Sequence, residues 1–461
     1  MELVLKTSGQ QCLVGSNPTP SAQMTDDTRG TRLNQDLRHG SRRSAKTPAV
    51  ARHGRLRRHG TWQTLVKIVG SVVAVALVSG SAVAAYAAFD LAATAKPTVT
   101  LGNESALEGV PDVGAIEGGL NLLIIGSDSR EGQGDGFGDP EEEKGVLNDV
   151  NLLLHISEDH SHASVVSFPR DMLVDVPEGC TDPRSGEELW EQYDVKINSV
   201  LEYGGMPCVV NTVEEVTGVP ILFAGIVQFM GAAAISEAVG GVNVCVAEPI
   251  EDTHTDLFLE AGTHELKGMQ ALQFLRTRYG VGDGSDLGRI SNQQVFLSAL
   301  ARELQAEGTL TDPGKLYSIA KAALSNMQLS ESLMDPTRMI SIAKAVKDTD
   351  LAKIAFLQYP TASVDGGGAL IPSDSAEIVN LALQDDMPVI FDPAAQEASY
   401  ASAADPNAPP PVEAPVEEAP VEDAPADPAA PAPTVEALPS DVTGQTAADV
   451  RCSAGRTLDD Q

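Results

Sequence analysis

Leu120–Gly126 reads LNLLIIG, Val150–Ser157 reads VNLLLHIS and Ala163–Phe168 reads ASVVSF. Each is a short apolar run bounded by polar or glycine-containing turns, the pattern of a strand buried in a sheet. The second and third are separated by a short polar turn and predict a β-hairpin feeding a central sheet. Downstream, apolar strand-like runs at Phe223–Val227, Gly241–Val246 and Ile354–Gln358 alternate with segments of helical spacing. The helical segments are Cys208–Gly218, Met230–Val239, Gly268–Thr277, Leu287–Leu304, Pro313–Ser325 and Pro336–Val346. Helices interleaved with short apolar strands predict an α/β domain, three layers of helix, sheet and helix around a central mixed sheet.

Working outward, the flanks differ from this core. Residues 1–67 carry twelve Lys and Arg against four acids and lack apolar periodicity, so they read as a disordered basic arm. Ile68–Phe89 has no charged residue and is long enough to cross a hydrocarbon core of ~30 Å as a helix. Arg52, Arg55, Arg57 and Arg58 precede it and Trp62 stands at its edge, which predicts a cytoplasmic N-terminus and an extracellular remainder. The arm is too long for the n-region of a cleaved signal peptide, so an uncleaved anchor in the plasma membrane is expected. Residues 90–118 read as a juxtamembrane linker and 119–391 as the folded domain. Residues 392–461, rich in Pro, Ala, Glu and Asp, read as an extended tail without a core.

The net charge of −34 argues against nucleic acid as a partner, because binding its backbone requires cations. Against that acidity, Leu272–Gln294 (LQFLRTRYGVGDGSDLGRISNQQ) concentrates Arg276, Arg278 and Arg289 around a Gly-rich turn. Arginine's planar fork suits phosphate, so the stretch predicts an anion site, although arginines also decorate helix C-termini for their dipole. Arg276 and Arg278 share a direction only if the helix is ending or the segment is extended, which the following Tyr279 and Gly280 allow. Arg289 and Gln293 are i, i+4 on the following helix and face one way. Asp286 stands where that helix would be capped, and Gly280–Ser285 reads as a flexible rim. Asp128 and Arg130 follow the first strand, and Asp149 opens the second. Two carboxylates at neighbouring strand ends suit a hard divalent cation, or are simply turn and cap residues. Arg170 and Asp171 end the third strand, with Arg170 a second candidate phosphate contact or the two a surface ion pair.

Five cysteines are present. Four lie after the anchor and allow three pairings; Cys180 and Cys208, flanking a polar excursion, are the expected disulfide, leaving Cys245 and Cys452. The apolar segments Ile221–Met230 and Ile235–Val246 read either as core or as walls of a lipid tunnel.

The ordered motifs NLLIIGSDSR, NDVNLLLHIS, VVSFPRD, KINSVLEYGG, GTHELKGMQALQFLRTRY and SDLGRISNQQ, from Leu120 to Leu304, resemble the LytR-CpsA-Psr family of cell-wall glycopolymer ligases, of actinobacterial type. The resemblance implies a single-pass membrane protein. Its extracellular domain would move a glycopolymer from a polyprenyl-diphosphate carrier to peptidoglycan through a phosphodiester. It also implies Mg²⁺ (or Mn²⁺) at Asp128 and Asp149. Arg170, Arg276, Arg278 and Arg289 resemble the pyrophosphate-gripping arginines, and Asp286 and Gln293 the polar head-group positions. Two positions depart from the pattern: Leu147 stands where an arginine is common, with Arg130 as the substitute contact, and Asn292 replaces a second basic residue. Two other readings keep the same site: a polyprenyl-diphosphate pyrophosphatase, in which water is the acceptor, and a non-catalytic envelope-binding regulator.

Overall fold

The first apolar run forms strand β1 (Leu120–Ser127), and the hairpin forms β2 (Asn148–Ile156) and β3 (Ala163–Phe168). These come from a computed structural model that describes residues 60–107, 116, 119–130, 133, 145–306, 308–310, 312–364, 368–392, 402–404 and 437–461. Before them lies helix α1 (Thr61–Thr94). After them come β4 (Leu173–Val176), β5 (Gln192–Lys196), α2 (Val200–Thr217), β6 (Phe223–Val227), α3 (Phe229–Val239) and β7 (Val242–Val246). The middle of the chain adds β8 (Ile250–Asp252), β9 (Leu257–Leu259), β10 (Gly262–Leu266), α4 (Met269–Arg276) and α5 (Asp286–Gln305). Then follow α6 (Pro313–Asn326), β11 (Met327–Leu329), α7 (Pro336–Asp348), β12 (Ile354–Gln358), β13 (Thr361–Ser363), β14 (Leu370–Pro372) and α8 (Ser375–Gln384). Three short strands close the chain, β15 (Ser402–Ala404), β16 (Gly444–Thr446) and β17 (Arg451–Ser453).

The central sheet has the order β11-β6-β1-β2-β3-β12-β16. It is mixed: β1 pairs antiparallel with β2 and parallel with β6, and β3 pairs parallel with β12. Because strand side chains alternate between faces, the apolar runs supply two cores at once. Leu123, Ile125, Leu153 and Val166 point to one face with α2 and α8, through Val209, Val213 and Val379. Leu120, Ile156 and Phe356 lie with Ala301 of α5, Leu324 of α6 and Ala345 of α7 in the second cluster. The result is the expected helix–sheet–helix sandwich. A smaller sheet, β10-β7-β17-β15, packs on α4 and α5 through Val244, Leu266, Phe274 and Phe296.

Helix α1 runs 34 residues with a hydropathy of 2.2 and no buried residue in its most apolar window, so it is long and apolar enough to cross a membrane. It extends past the expected 68–89 segment at both ends. At its C-terminal end Asp90 accepts a hydrogen bond from the Tyr317 hydroxyl and pairs with Lys321 Nζ at 2.7 Å, which ties it to α6.

Three boundaries need correction. The 90–118 segment is not a free linker throughout: Val99 N donates to Leu329 O at 3.1 Å, its carbonyl accepts from Glu331 N at 3.0 Å, and Leu101 and Leu107 are buried. Helix α2 starts eight residues before Cys208, with a break at Gly205 (φ 68°, ψ −169°) ahead of Pro207, where only glycine takes the turn readily. The last stretch, 437–461, is not an extended tail. It adds β16 to the edge of the central sheet and β17 to β7, which apolar content alone could not predict for such short strands. Most of the Pro-rich repeat between Phe391 and Leu438, and the arm before Gly60, lie outside the described residues.

Cys180 is bonded to Cys208, and Cys245 to Cys452 across the β7–β17 register. The second bond links a mid-chain strand to one 207 residues later.

Candidate active site

A cavity of about 520 Å³ opens between the face of β1 and β2 and helices α4 and α5. Its inner wall is apolar, with Ile124, Leu152, Leu272, Leu275, Leu297 and Leu300. The same cavity is lined by Asp128, Arg130, Asp149, Arg170, Arg276, Arg278, Arg289 and Gln293. Only Asp286, of the residues singled out for this site, does not line it.

Local structure explains each position. The β1–β2 ladder runs in regular register to Gly126 opposite Val150, then skips so that Ser127 faces Asn148. Asp149 is the extra residue of this bulge, and a bulge re-aims the side chain it carries. A Cβ at Gly126 would come within 2.8 Å of Val150 Cβ, so glycine permits the close approach there. Buried Asn148 anchors the bulge by donating to Ile197 O at 2.9 Å and accepting from Leu201 N at 3.1 Å. Asp128 exchanges two bonds with residue 147: Leu147 N donates to its Oδ1 at 2.7 Å, and its own N donates to Leu147 O at 3.1 Å. Position 147 therefore orients the carboxylate through its main chain, whatever its side chain.

Helix α4 ends at Arg276, and the extended Thr277 (φ −58°, ψ 135°) turns the chain so that Arg276 and Arg278 both reach the cavity. That turn is built on Asp252, which the sequence reading overlooked. Buried Asp252 accepts from Thr277 Oγ1 at 2.7 Å and Arg278 N at 3.3 Å, and from His254 N at 2.8 Å. Burial pushes its carboxyl up, but these donors outweigh burial and hold it below the usual carboxylate range. The Asp-x-His-Thr run after β8 is an Asx-turn signal that could have revealed it.

Helix α5 is capped by Ser285, whose hydroxyl accepts from Gly288 N, and Asp286 is the first helical residue rather than the cap. Asp286 stands behind the arginines, 2.7 Å from Arg289 Nη2 and 3.5 Å from Arg170 Nε. Arg289 also donates to Asp149 O at 3.0 Å, and Arg170 Nη1 to Asp149 Oδ1 at 3.0 Å. Gln293 Nε2 donates to Leu275 O, joining α5 to α4. Asn292 faces away from the cavity into the core, donating to Phe274 O and accepting from Ser453 Oγ at 2.5 Å. The Gly280–Ser285 rim is held by the C-terminal segment: Gly282 N donates to Ala454 O at 2.9 Å and Arg456 N to Gly280 O at 2.8 Å. A Cβ on Gly455 would lie 1.9 Å from Glu248 O, so the crossing there requires glycine.

The cations are unevenly balanced. Burial acts against the charge of Arg170, but Asp149, Asp286 and Asp171 outweigh it and raise the group. Arg289 is lowered by burial in spite of Asp286 and Asp149. Arg276 lies over the Phe229 ring at 4.3 Å and makes no ion pair among the described residues. Although one side meets solvent, partial burial and the charge of Arg130 hold it below the usual arginine range. A cation disfavoured in this way gains most from an arriving anion.

Asp128 is the converse. Burial first, and Asp149 beside it, raise its carboxyl above the usual range in spite of the Leu147 N–H. A raised carboxyl stabilises the fold below its ordinary titration range, and that contribution is lost as pH rises through the raised value. At neutral pH without divalent cation, ionised Asp128 is therefore a cost. Asp128→Asn keeps an acceptor for Leu147 N–H and is expected to raise Tm at pH 7, in chelator, by about 1–3 °C. A fall in Tm, measured by calorimetry, would contradict this electrostatic account.

The two apolar segments divide between the core and wall readings. Val227, Phe229 and Ile235 line the cavity, whereas Ile221 and the strand Val242–Val246 pack in the cores. Most of the apolar lining comes from β1, β2, α4 and α5.

The LytR_cpsA_psr family profile matches residues 85–381, more than half of the chain. The chain belongs to this family. Among curated relatives of this LytR_cpsA_psr protein, the cell wall biosynthesis protein LcpA of Corynebacterium glutamicum is 27% identical, over 70% of this chain and 64% of its own length. The probable cell wall biosynthesis protein LcpB of the same organism is 32% identical over 50% of this chain and 54% of its own. The match thus spans roughly half to two thirds of the length of these two relatives. The polyisoprenyl-teichoic acid–peptidoglycan teichoic acid transferase TagT of Bacillus subtilis is 28% identical over 51% of this chain and 69% of its own. Among solved structures, the LytR-Csp2A-Psr enzyme from Actinomyces oris aligns over 58% of this chain and 90% of its own, at 19% identity and TM-score 0.44.

Proposed function

We propose that this protein is a cell-wall transferase that moves a glycopolymer from a polyprenyl-diphosphate carrier onto peptidoglycan, leaving a phosphodiester link. The observation that carries the reading is one cavity joining an apolar interior to a head of five arginines and three aspartates, Asp128, Asp149 and Asp252. An amphiphile with a long hydrocarbon tail and a diphosphate matches both halves: the tail removes apolar surface from water, and the arginines offer forked donors to phosphate oxygens. The naming of TagT as a polyisoprenyl-teichoic acid–peptidoglycan transferase supports the same substrate class.

Asp128 and Asp149 fit a hard divalent cation, Mg²⁺ or Mn²⁺, because they repel each other and burial disfavours the charge of Asp128. When bound, such an ion supplies charge neutralisation on the diphosphate oxygens. The chain's own residues do the rest by positioning and electrostatics. Arg276, Arg278 and Arg289 hold the diphosphate, with Arg130 and Arg170 at the same head. An acceptor sugar hydroxyl attacks the phosphorus that bears the glycan, and a new P–O bond forms. The bond to the bridging oxygen breaks, and polyprenyl monophosphate leaves with its electron pair. The hydroxyl proton passes to a carboxylate, and Asp149 or Asp128 would orient that hydroxyl. Helix α1 anchors the domain in the plasma membrane, with the basic arm inside and the domain outside.

The test is incubation of full-length protein in detergent with a polyprenyl-diphosphate-linked glycan, peptidoglycan oligomers and Mg²⁺. Mass spectrometry is expected to find a glycan–peptidoglycan conjugate and polyprenyl monophosphate in equal amounts, both abolished by chelator. Polyprenyl monophosphate without conjugate would make water the acceptor and overturn the ligation reading.

A further inference from the structure

At the opposite end of β2 from Asp149, six residues and so ~20 Å away, three side chains converge that the transfer reaction does not use. His155 and His162, from the two sides of the β2–β3 turn, meet Asp386, which lies just past α8; one ligand atom from each falls within 4.8 Å of the others. Both histidines are buried. We propose that His155, His162 and Asp386 form a binding site for a Zn²⁺-class divalent cation, separate from the transfer site.

The hydrogen bonds around His155 carry the argument. Asn121 Nδ2 donates to Pro220 O at 2.9 Å, which turns Asn121 Oδ1 toward His155 Nδ1, also at 2.9 Å. A carbonyl oxygen can only accept, so Nδ1 carries the proton and Nε2 is the nitrogen left to face Asp386 Oδ1, 2.9 Å away. A lone pair facing a carboxylate oxygen at that distance requires either a proton, on the ring or on the carboxyl, or a metal ion between them. His162 decides between these. Its Nε2 is buried without a well-formed hydrogen bond, the Met387 backbone being the weak partner near the ring, and lies 4.0 Å from the same Asp386 oxygen. A proton on His155 or Asp386 leaves that nitrogen poorly served, whereas one metal ion takes all three atoms.

The donor set selects the ion. Two imidazole nitrogens and one carboxylate oxygen suit zinc, and a hard ion such as Mg²⁺ prefers all-oxygen sites. Tetrahedral ligation at ~2.1 Å spaces ligand atoms roughly 3.4 Å apart. The 2.9 Å pair would open and the 4.0 Å pair close by about half an ångström each, and the two histidine nitrogens, within 4.8 Å of each other, would draw together by up to about 1.4 Å. The Asn121 carbonyl on Nδ1 is the outer partner that metal-bound histidines ordinarily have. The backbone conforms as well. Asp386 holds a left-handed φ of 52°, and a side chain on Gly119 (φ 82°) would lie 3.0 Å from the His155 ring and 3.3 Å from Asp386 Oδ1. Glu158 N donates to the other carboxylate oxygen at 3.1 Å. Bound metal would fasten the segment after α8 to the β2–β3 turn.

The test uses full-length protein in detergent, stripped with chelator and titrated with Zn²⁺ alone in a calorimeter, with Tm measured in parallel. Wild type is expected to bind one Zn²⁺ at this cluster and to melt higher with it. His162→Gln, which leaves the His155–Asp386 pair intact, is expected to weaken binding at least ~10-fold and to lose the Tm gain; Asn121→Ala should weaken it by ~10–100-fold. His264→Gln, outside the cluster, should change neither readout. Equal Zn²⁺ affinity in wild type and a folded His162→Gln would overturn the proposal. So would the absence of any Zn²⁺-dependent Tm gain in wild type, which would leave a protonated His155–Asp386 ion pair as the state of the site.

Discussion

Arg276→Ala combined with Arg278→Ala is expected to lower kcat/KM for polymer transfer by about 10²–10⁴-fold, or roughly 3–6 kcal/mol of transition-state stabilisation. Both guanidinium groups line the cavity head, and neither makes an ion pair with a carboxylate among the described residues. Arg276 leans on Phe229, and among the described residues the Arg278 guanidinium donates to the Gly284 carbonyl, at 3.1 Å. Their charge is thus left for the substrate, and removing it should cost turnover far more than folding. Tm is expected to move by only about 1–2 °C. Arg278→Lys, which keeps the charge and loses the fork, should fall between wild type and the alanine variant. Steady-state kinetics with calorimetry on the same samples checks both statements. Unchanged turnover in the double alanine variant would remove the diphosphate from this end of the cavity. Arg289 is a poorer probe, because its loss also leaves Asp286 buried behind it without its nearest cation.

Cys245→Ser with Cys452→Ser is expected to destabilise the protein by about 4–5 kcal/mol, because the bond closes a loop of 207 residues. For a domain of this size that corresponds to a Tm loss of roughly 10 °C. Activity should fall as well, even below the transition. β17 carries the segment that holds Gly280 and Gly282 of the rim beside Arg278, and Ser453 holds Asn292 on the helix that presents Arg289 and Gln293. Denaturant unfolding and activity assays under oxidising and reducing conditions test this together. If reduction changes neither, the strand pairing alone holds the C-terminal segment in place.

Much of the domain was legible from the chain. The runs at Leu120, Val150 and Ala163 became adjacent strands because burial on both faces demands unbroken apolar residues and glycine or polar turns at their ends. Phe223–Val227 and Ile354–Gln358 coincide with β6 and β12 for the same reason. The arginines were conspicuous because they are scarce in a chain with 31 Lys+Arg against 65 Asp+Glu. What stayed hidden were the residues that act through others. Asp252 is one acid among many until the fold places four donors around it. Asn292 read as a missing basic residue, and its role depends on a strand more than 150 positions away. The strands β16 and β17, three residues each, have no periodicity to detect; pairing with β12 and β7 makes them strands.

The sequence by itself determined the layered α/β class, the apolar helix before it and the set of charged residues available for chemistry, because hydrophobic period, length and composition are local properties. Tertiary structure alone decided how those residues meet. The bulge at Asp149, the stop of α4 at Arg276, Asp286 behind rather than within the cavity, and the return of the C-terminal segment onto the rim all depend on long-range pairing. Such contacts are selected by complementary packing and hydrogen-bond satisfaction between distant segments, which no window along the chain contains.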